Sequence, residues 1–404
     1  MSDVNNYSDL SYALTKQISK IEKKNNGIFF TPPKTIIKNL TFLDPYMKNI
    51  KNVLEPSCGS CEYISLLNKQ YNKLQIDGIE FNKTIYNSIK NLENDHIKLF
   101  NQDYLLYNDS NTYDLIIGNP PYYVMKKNEV DASYHDYFDG RPNIFILFII
   151  KSLKLLNKNG ILSFVLPKNF LNCLYYDKTR KYISQNYKIL NILECDDSYI
   201  ETKQDTVILI IQNDYYLNCN QEYILEYEKY TIFGTPENIN KIKNLYDNSS
   251  TLSKLGFKVN VGNVVWNQCK NILTNNKTKT LLIYSSDIKE NKLHIQTYSN
   301  KDKKNYINKK GIQEPLLVVN RGYGVGNYKF EYCLLEGNFE YLIENHLICI
   351  KYTKPINNKD LILLYQKIIK SLENTKTKDF IDIYFSNNAI NTTELCEIFP
   401  IYDI

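Results

Sequence analysis

The run Asn119-Pro120-Pro121-Tyr122 carries the residue types needed to turn an aromatic amine into a nucleophile. The lone pair of such an amine is delocalised into its ring. Two acceptors aimed at its two N–H bonds hold the nitrogen tetrahedral and free that pair for attack on an electrophile such as a methyl donor. The Asn119 side-chain oxygen and the Pro120 backbone carbonyl are candidates for the two acceptors. Proline locks φ and carries no backbone N–H, so the acceptors are pre-set. Tyr122 offers a flat face on which a base can stack. Read blandly, the four residues are a strand-to-loop turn with a Pro-Pro stop. The flanking sequence speaks against that reading.

Three further acids lie where strands should end. Asn52-Val53-Leu54-Glu55 reads as a short strand that feeds a loop of small residues, Pro56-Ser57-Cys58-Gly59-Ser60-Cys61, with a helix from Glu62. That is the first turn of a doubly wound sheet, where backbone approaches a ligand closely. Glu80, followed by Phe81, closes a second strand 25 positions after Glu55, the place from which an acid accepts hydrogen bonds from ribose hydroxyls. Asp103 follows a third and is placed to read an adenine amine. Tyr113–Gly118 is the strand that delivers Asn119. No phosphate-cradling Lys-Ser/Thr loop occurs, so the pattern fits a nucleoside ligand without phosphates.

In this order of motifs the chain resembles the S-adenosylmethionine-dependent N6-adenine DNA methyltransferases of the gamma class, the restriction–modification type found in bacteria and large DNA viruses. Gly27-Ile28-Phe29-Phe30-Thr31-Pro32-Pro33 resembles the N-terminal cofactor motif of that class. Val53 to Cys61 resembles its first core motif, and Glu80 and Asp103 the next two. Gly160–Pro167 is similar to the strand whose Phe, here Phe164, helps enclose the cofactor's adenine. Asp205–Ile211 resembles the last strand of the catalytic sheet, and Tyr199 stands where the family places a second aromatic against a flipped base. The resemblance implies cofactor contacts at Thr31, Glu55, Pro56, Ser57, Cys58, Glu80, Phe81, Asp103, Pro121 and Phe164, catalysis by Asn119, Pro120 and Tyr122, and base stacking by Tyr122 and Tyr199. It implies double-stranded DNA as substrate, a cognate restriction endonuclease as a possible separate chain, and no metal. One departure is Cys61, where the family's loop has a second glycine and where a Cβ restricts positive φ. A zinc or redox reading of Cys58-x-x-Cys61 lacks a second ligand pair.

Composition agrees with a globular protein of two domains: 404 residues, 43% hydrophobic, 23% charged, net charge +5. The longest apolar run, Ile144–Ile150, is too short to cross a bilayer. Nine scattered cysteines and a start without a basic-then-apolar pattern imply a cytoplasmic protein, bacterial or viral in an infected cell. The 35 tyrosines against one tryptophan, with the Asn, Lys and Ile bias, point to an AT-rich genome.

Leu10, Leu14, Ile18 and Ile21 make a helical stripe over 7–24. Over residues 34–212, strand-like and helical runs alternate, as a Rossmann-like, mostly parallel sheet with covering helices requires. We therefore expect a catalytic domain over 1–212 and a mixed α/β target-recognition domain over 213–404, with a helix at about 359–371. Val261–Gln268, Leu281–Ser286 and Glu344–Ile348 resemble recognition segments of this class. Lys301–Lys304, Lys309-Lys310 and the loop Arg321–Gly326 would suit phosphates and base edges. The stretch from Tyr122 to Ile144, with Lys126, Lys127 and Arg141, would close over a base or meet phosphates. Glutamine-N5 protein methyltransferases use the same four-residue motif but generally lack a C-terminal domain of this size. An RNA adenine methyltransferase, or a non-catalytic DNA-binding specificity subunit, stays open on sequence alone.

Overall fold

The computed structural model describes residues 7–108, 111–195, 199–200, 204–216, 219–321, 330–385 and 389–403. The chain divides into two units, Met1–Ile239 and Asn240–Ile404. The first holds a seven-stranded sheet of β1 (Asn52–Glu55), β2 (Gln75–Ile79), β3 (Ile97–Phe100), β4 (Tyr113–Gly118), β5 (Leu156–Pro167), β6 (Lys188–Cys195) and β7 (Thr206–Gln212). They lie in the order β3-β2-β1-β4-β5-β7-β6. β1 to β5 pair in parallel, and β7 runs antiparallel to both of its neighbours. Strand order reverses between β1 and β4, which opens a crevice at their carboxyl ends.

The helices of this unit are α1 (Asp9–Gln17), α2 (Lys20–Asn26), α3 (Pro33–Leu43), α4 (Glu62–Gln70), α5 (Lys83–Ile89), α6 (Ile144–Lys154) and α7 (Asp177–Asn186). The sheet separates two apolar layers. Leu54, Ile116, Phe164 and Leu166 join α6 in one, and Val53, Leu115, Ile117 and Val165 join α3 and α4 in the other. Alternation along each strand sends successive residues to opposite layers.

The helix expected over 7–24 is two helices. Ile18 is extended, and the Ser19 side chain accepts from Glu22 N as a new N-cap. The break turns Ile21 outward to 74% exposure, while Leu14 and Ile18 stay buried. The Ser8 and Ser11 hydroxyls bond to Glu62 Oε1 at 2.6 and 2.5 Å, which ties α1 to the start of α4.

The division at 239/240 lies beyond the 212/213 boundary expected from sequence. The hairpin β8 (Ile224–Tyr227) and β9 (Tyr230–Phe233) packs on α7. There the buried Arg180 donates through Nε to the Thr231 carbonyl, and Thr231 N donates to Asp177 Oδ1.

The second unit is mixed α/β. One antiparallel sheet is ordered Phe257–Val261, Leu347–Tyr352, Leu316–Asn320, Tyr332–Leu335. Another contains the parallel pair Thr280–Ile283 and Tyr341–Ile343. The expected helix is found at Asn358–Leu372, and a second at Thr375–Tyr384 was not read from sequence. Lys303, expected at phosphates, lies half-buried with its Nζ 4.1 Å from the Tyr284 ring centroid and 3.9 Å from that of Tyr298. Lys301, Lys309 and Lys310 remain exposed. The expected loop at Gly322–Gly326 lies outside the described residues. Among the described residues no helix is long and apolar enough to cross a membrane.

Candidate active site

The parallel strands deliver their acids to one edge of the sheet. β1 ends at Glu55, which is 3% exposed, and its Oε2 has no hydrogen-bond partner among the described residues. Burial, then the neighbouring Cys61 and Glu80, push its pKa well above the ordinary carboxylate range. A buried carboxyl with an unmet oxygen is a site for a cation or a donor. Glu80 follows β2. Its Oε2 accepts from Gly59 N at 2.9 Å and its Oε1 from Asn82 N at 2.7 Å. Burial raises its pKa to about 7, against the lowering pull of those two amides. Asp103, beyond β3, accepts from Leu105 N at 2.8 Å.

The loop after β1 is held by Cys58 N to the Ile79 carbonyl and Cys61 N to the Cys58 carbonyl. Cys61 adopts φ 59°, the left-handed conformation a glycine would take more readily, and its side chain is fully buried. The cost of that conformation is roughly 1–2 kcal/mol. Hydrogen bonding to the Cys61 thiol, then burial, raise the Cys58 pKa, which disfavours thiolate chemistry.

Three cavities meet here. The largest, about 790 Å³ including its open mouth, is lined by Pro56, Ser57, Glu80, Phe81, Asp103, Asn119 and Pro121, with Tyr123, Ile144 and Phe148 as apolar walls. A second of about 280 Å³ is lined by Thr31, Glu55, Ser57, Cys58, Tyr63 and Asn119. A third, about 190 Å³, lies between Thr15, Phe29, Phe30, Tyr199 and Ile200. Phe29 and Phe30 line all three.

Asn119 follows β4 through Gly118, whose φ of 150° favours glycine and where a Cβ would lie 3.3 Å from Glu55 Cγ. The Asn119 carbonyl accepts from Ser57 Oγ at 3.0 Å. Its Nδ2 donates to the Phe29 carbonyl at 3.2 Å, and its Oδ1 accepts from the Tyr122 hydroxyl at 2.6 Å. That hydroxyl also lies 2.8 Å from the Val165 carbonyl, so its single hydrogen serves two acceptors. Pro120 is buried and Pro121 faces the large cleft.

Two expectations need correction. Phe164 lines none of these cavities. It is fully buried in the core layer with Ile116 and Leu166, and the aromatic residues that line the cleft are instead Phe29, Phe30, Phe81, Tyr104, Tyr123 and Phe148. Nor does Tyr122 stand as a free stacking face. It is partly buried, its ring meets Phe145 edge-on at 5.9 Å and 86°, and its hydroxyl is bonded to Asn119. Tyr199 is brought beside it, 5% exposed, with its ring edge-on to Phe29 at 6.4 Å. Sequence reasoning missed Tyr123, Ile144 and Phe148. The apolar run Ile144–Ile150 marked a buried helix but carried no sign that its first turn faces a cleft. The stretch between Tyr122 and Ile144 forms short turns over a small core of Val130, Phe138 and Leu147, and leaves Lys126, Lys127 and Arg141 exposed.

Residues 9–200 match the family model described as Eco57I restriction-modification methylase. Over nearly its whole length the chain is similar to Modification methylase CviBIII of Paramecium bursaria Chlorella virus NC1A, 26% identical over 99% of this chain and 100% of that protein. It is likewise similar to Type II methyltransferase M.CvrRI of Paramecium bursaria Chlorella virus XZ-6E, 25% identical over 98% of this chain and 99% of that one. Among solved structures, that of a DrdV–DNA complex shares the fold at a TM-score of 0.55 and 12% identity, over 97% of this chain and 57% of that one.

Proposed function

Given that residues 9–200 match the Eco57I restriction-modification methylase model, we propose that the protein methylates the N6 amine of adenine at a specific sequence in double-stranded DNA, using S-adenosylmethionine. The observation that carries this reading is the position of Asn119. It lies in the wall shared by the large cleft and the inner cavity, beside the unpaired buried oxygen of Glu55.

The residues fit the cofactor. Glu55 would take its ammonium group, Glu80 its ribose hydroxyls and Asp103 its adenine amine, while Phe81, Tyr123 and Phe148 cover the base. Thr31, Ser57 and Cys58 line the inner end. When bound, the cofactor supplies a methyl group on a cationic sulfur. The target adenine cannot reach that group inside a duplex and has to turn out of the stack. Asn119 Oδ1 and the Pro120 carbonyl then accept from its two N–H bonds and localise the nitrogen lone pair. The Tyr122 and Tyr199 rings bound the base. The extra proton leaves the cationic product readily, so no general base is required beforehand. Residues 240–404 would read the target sequence, with exposed Lys301, Lys309 and Lys310 at phosphates. The protein would work in the cytoplasm of a bacterium or an infected cell, alongside a cognate endonuclease on a separate chain.

Tritium transfer from labelled cofactor to DNA, RNA and protein in parallel, followed by hydrolysis, tests this. Label in N6-methyldeoxyadenosine is expected, and sequencing of the modified DNA then gives the site. Label in glutamine, in cytosine or only in RNA would overturn it.

A further inference from the structure

Asn119 has to offer its partner an oxygen, and an amide turned through half a revolution would offer N–H groups instead. Its contacts decide which. The Phe29 carbonyl beside Nδ2 can only accept, so an oxygen placed there would face another oxygen. The Tyr122 hydroxyl at the other end can donate or accept, so it does not discriminate. The Phe29 carbonyl therefore sets the sense of the amide.

That carbonyl sits on the segment 27–31, which runs from Gly27, the left-handed end of α2, to the start of α3. Gly27, Ile28, Phe29 and Phe30 line the large cleft. The same segment presses on the catalytic loop: a Cβ at Gly27 would fall 2.6 Å from Tyr122 N and 3.2 Å from Pro121 Cβ, at a φ of 63°. One short piece of chain thus walls the cofactor cleft and orients the group that must hold the target amine.

Resting on the function proposed above, we infer that segment 27–31 is a strap that senses the cofactor. An occupied cleft seats the strap, and the seated Phe29 carbonyl holds Asn119 with its oxygen toward the target, so cofactor binding strengthens capture of the base. Phe29 acts through Asn119 and is a positioning residue. By linkage, target binding strengthens cofactor binding by the same factor.

The test uses the full chain and a short duplex carrying the mapped methylation site, with sinefungin as a cofactor analogue that has no transferable methyl. Duplex affinity is measured with and without sinefungin. In the wild type the affinity should rise on the order of 5–150-fold, the usual span for coupled sites. In Gly27→Ala, whose methyl group displaces the strap from the loop, the factor should approach one. Phe29→Leu keeps the carbonyl and should retain the coupling. Thermal unfolding with and without sinefungin shows that each variant is folded and binds the analogue. A second readout needs no strap variant. In asparagine-labelled protein, the side-chain amide signal assigned by its loss in Asn119→Ala should exchange more slowly with water once sinefungin is added. Unchanged exchange, a wild-type factor of one, or full coupling in Gly27→Ala would overturn the inference. If no duplex is methylated at all, it is the proposed function that fails.

Discussion

The cofactor side and the target side of the site are built in different ways. On the cofactor side Glu55, Glu80 and Asp103 stand at the ends of three adjacent parallel strands, and backbone amides already hold Glu80, from Gly59 and Asn82, and Asp103, from Leu105. An open cleft is lined by Glu80 and Asp103. On the target side Phe29, Asn119, Tyr122 and Tyr199 come from three distant parts of the chain, and the Asn119 amide is already bonded at both ends, to the Phe29 carbonyl and the Tyr122 hydroxyl. The difference teaches that the protein is preorganised for its first ligand and closed on itself before the second. Opening the target side exchanges the existing hydrogen bonds of Asn119 for those of the base, whereas filling the cofactor side adds a partner to the Glu55 oxygen that lacks one.

The largest effect that sharpens this contrast is expected for Asn119→Ala. Loss of one preorganised acceptor costs about 2.7–4 kcal/mol, or roughly 100–1,000-fold in the rate of transfer. Cofactor affinity by calorimetry should stay within a few-fold, because the strand-end acids are untouched. Near-normal single-turnover methylation would remove Asn119 from the mechanism.

A pH series probes the cofactor side alone. The pKa of Glu80 rises on folding from 4.5 to about 7, so the folded chain holds this proton more tightly than the unfolded chain does. The resulting stability is fully present below pH 4.5, is lost as pH climbs to about 7, and amounts to roughly 3 kcal/mol. Cofactor binding has the opposite sign. An ionised Glu80 is the better acceptor for ribose hydroxyls, so affinity should weaken by up to about tenfold per unit as pH falls below 7, with a proton released on binding. Calorimetry in buffers of different ionisation enthalpy reads that proton. Glu80→Gln should shrink both trends, leaving the share of the buried Glu55 carboxyl, whose pKa is also raised, and a wild type no steeper than Glu80→Gln would mean Glu80 is ionised throughout.

Tyr122→Phe addresses the target side with a smaller effect. It keeps the ring and removes the hydroxyl that bonds Asn119 Oδ1. Turnover should fall by about 0.5–1.5 kcal/mol, the usual worth of one such bond, while cofactor affinity holds. A collapse as large as that of Asn119→Ala would show that the hydroxyl itself takes part in the chemistry. The smallest effect on ligand binding is expected for Phe164→Leu. With its ring in the core layer, stability should drop on the order of 1 kcal/mol and cofactor affinity should not change. A selective loss of cofactor affinity would return Phe164 to the cleft.

Much of the cofactor side was legible because it follows from local signals. Short apolar runs marked β1, β2 and β4, and the acid or asparagine just after each run could be placed at the sheet edge without knowing the neighbours. The helix from Glu62 was readable for the same reason, whereas the strand found at Thr206–Gln212 was expected over Asp205–Ile211 from the family resemblance. The break at Ile18 was less so. Helical spacing of Leu10, Leu14, Ile18 and Ile21 continues through it, and only the capping by Ser19 ends it. The hairpin at 224–233 looked like the start of a new domain because its attachment, Arg180 to Thr231, joins residues 51 positions apart.

By itself, then, the sequence determined a doubly wound sheet and the placing of Glu55, Glu80, Asp103 and Asn119 at strand ends on one edge. Alternating strands and helices carry every parallel strand's carboxyl end to the same side. Only the tertiary structure decided that Phe164 turns into a core layer while Phe148 faces the cleft. Alternation tells which residues share a face, but not which face meets a cavity. It also decided the sense of Asn119, through a carbonyl 90 residues earlier in the chain. A backbone carbonyl is the same at every position, so nothing in the residue types announces which one closes that bond.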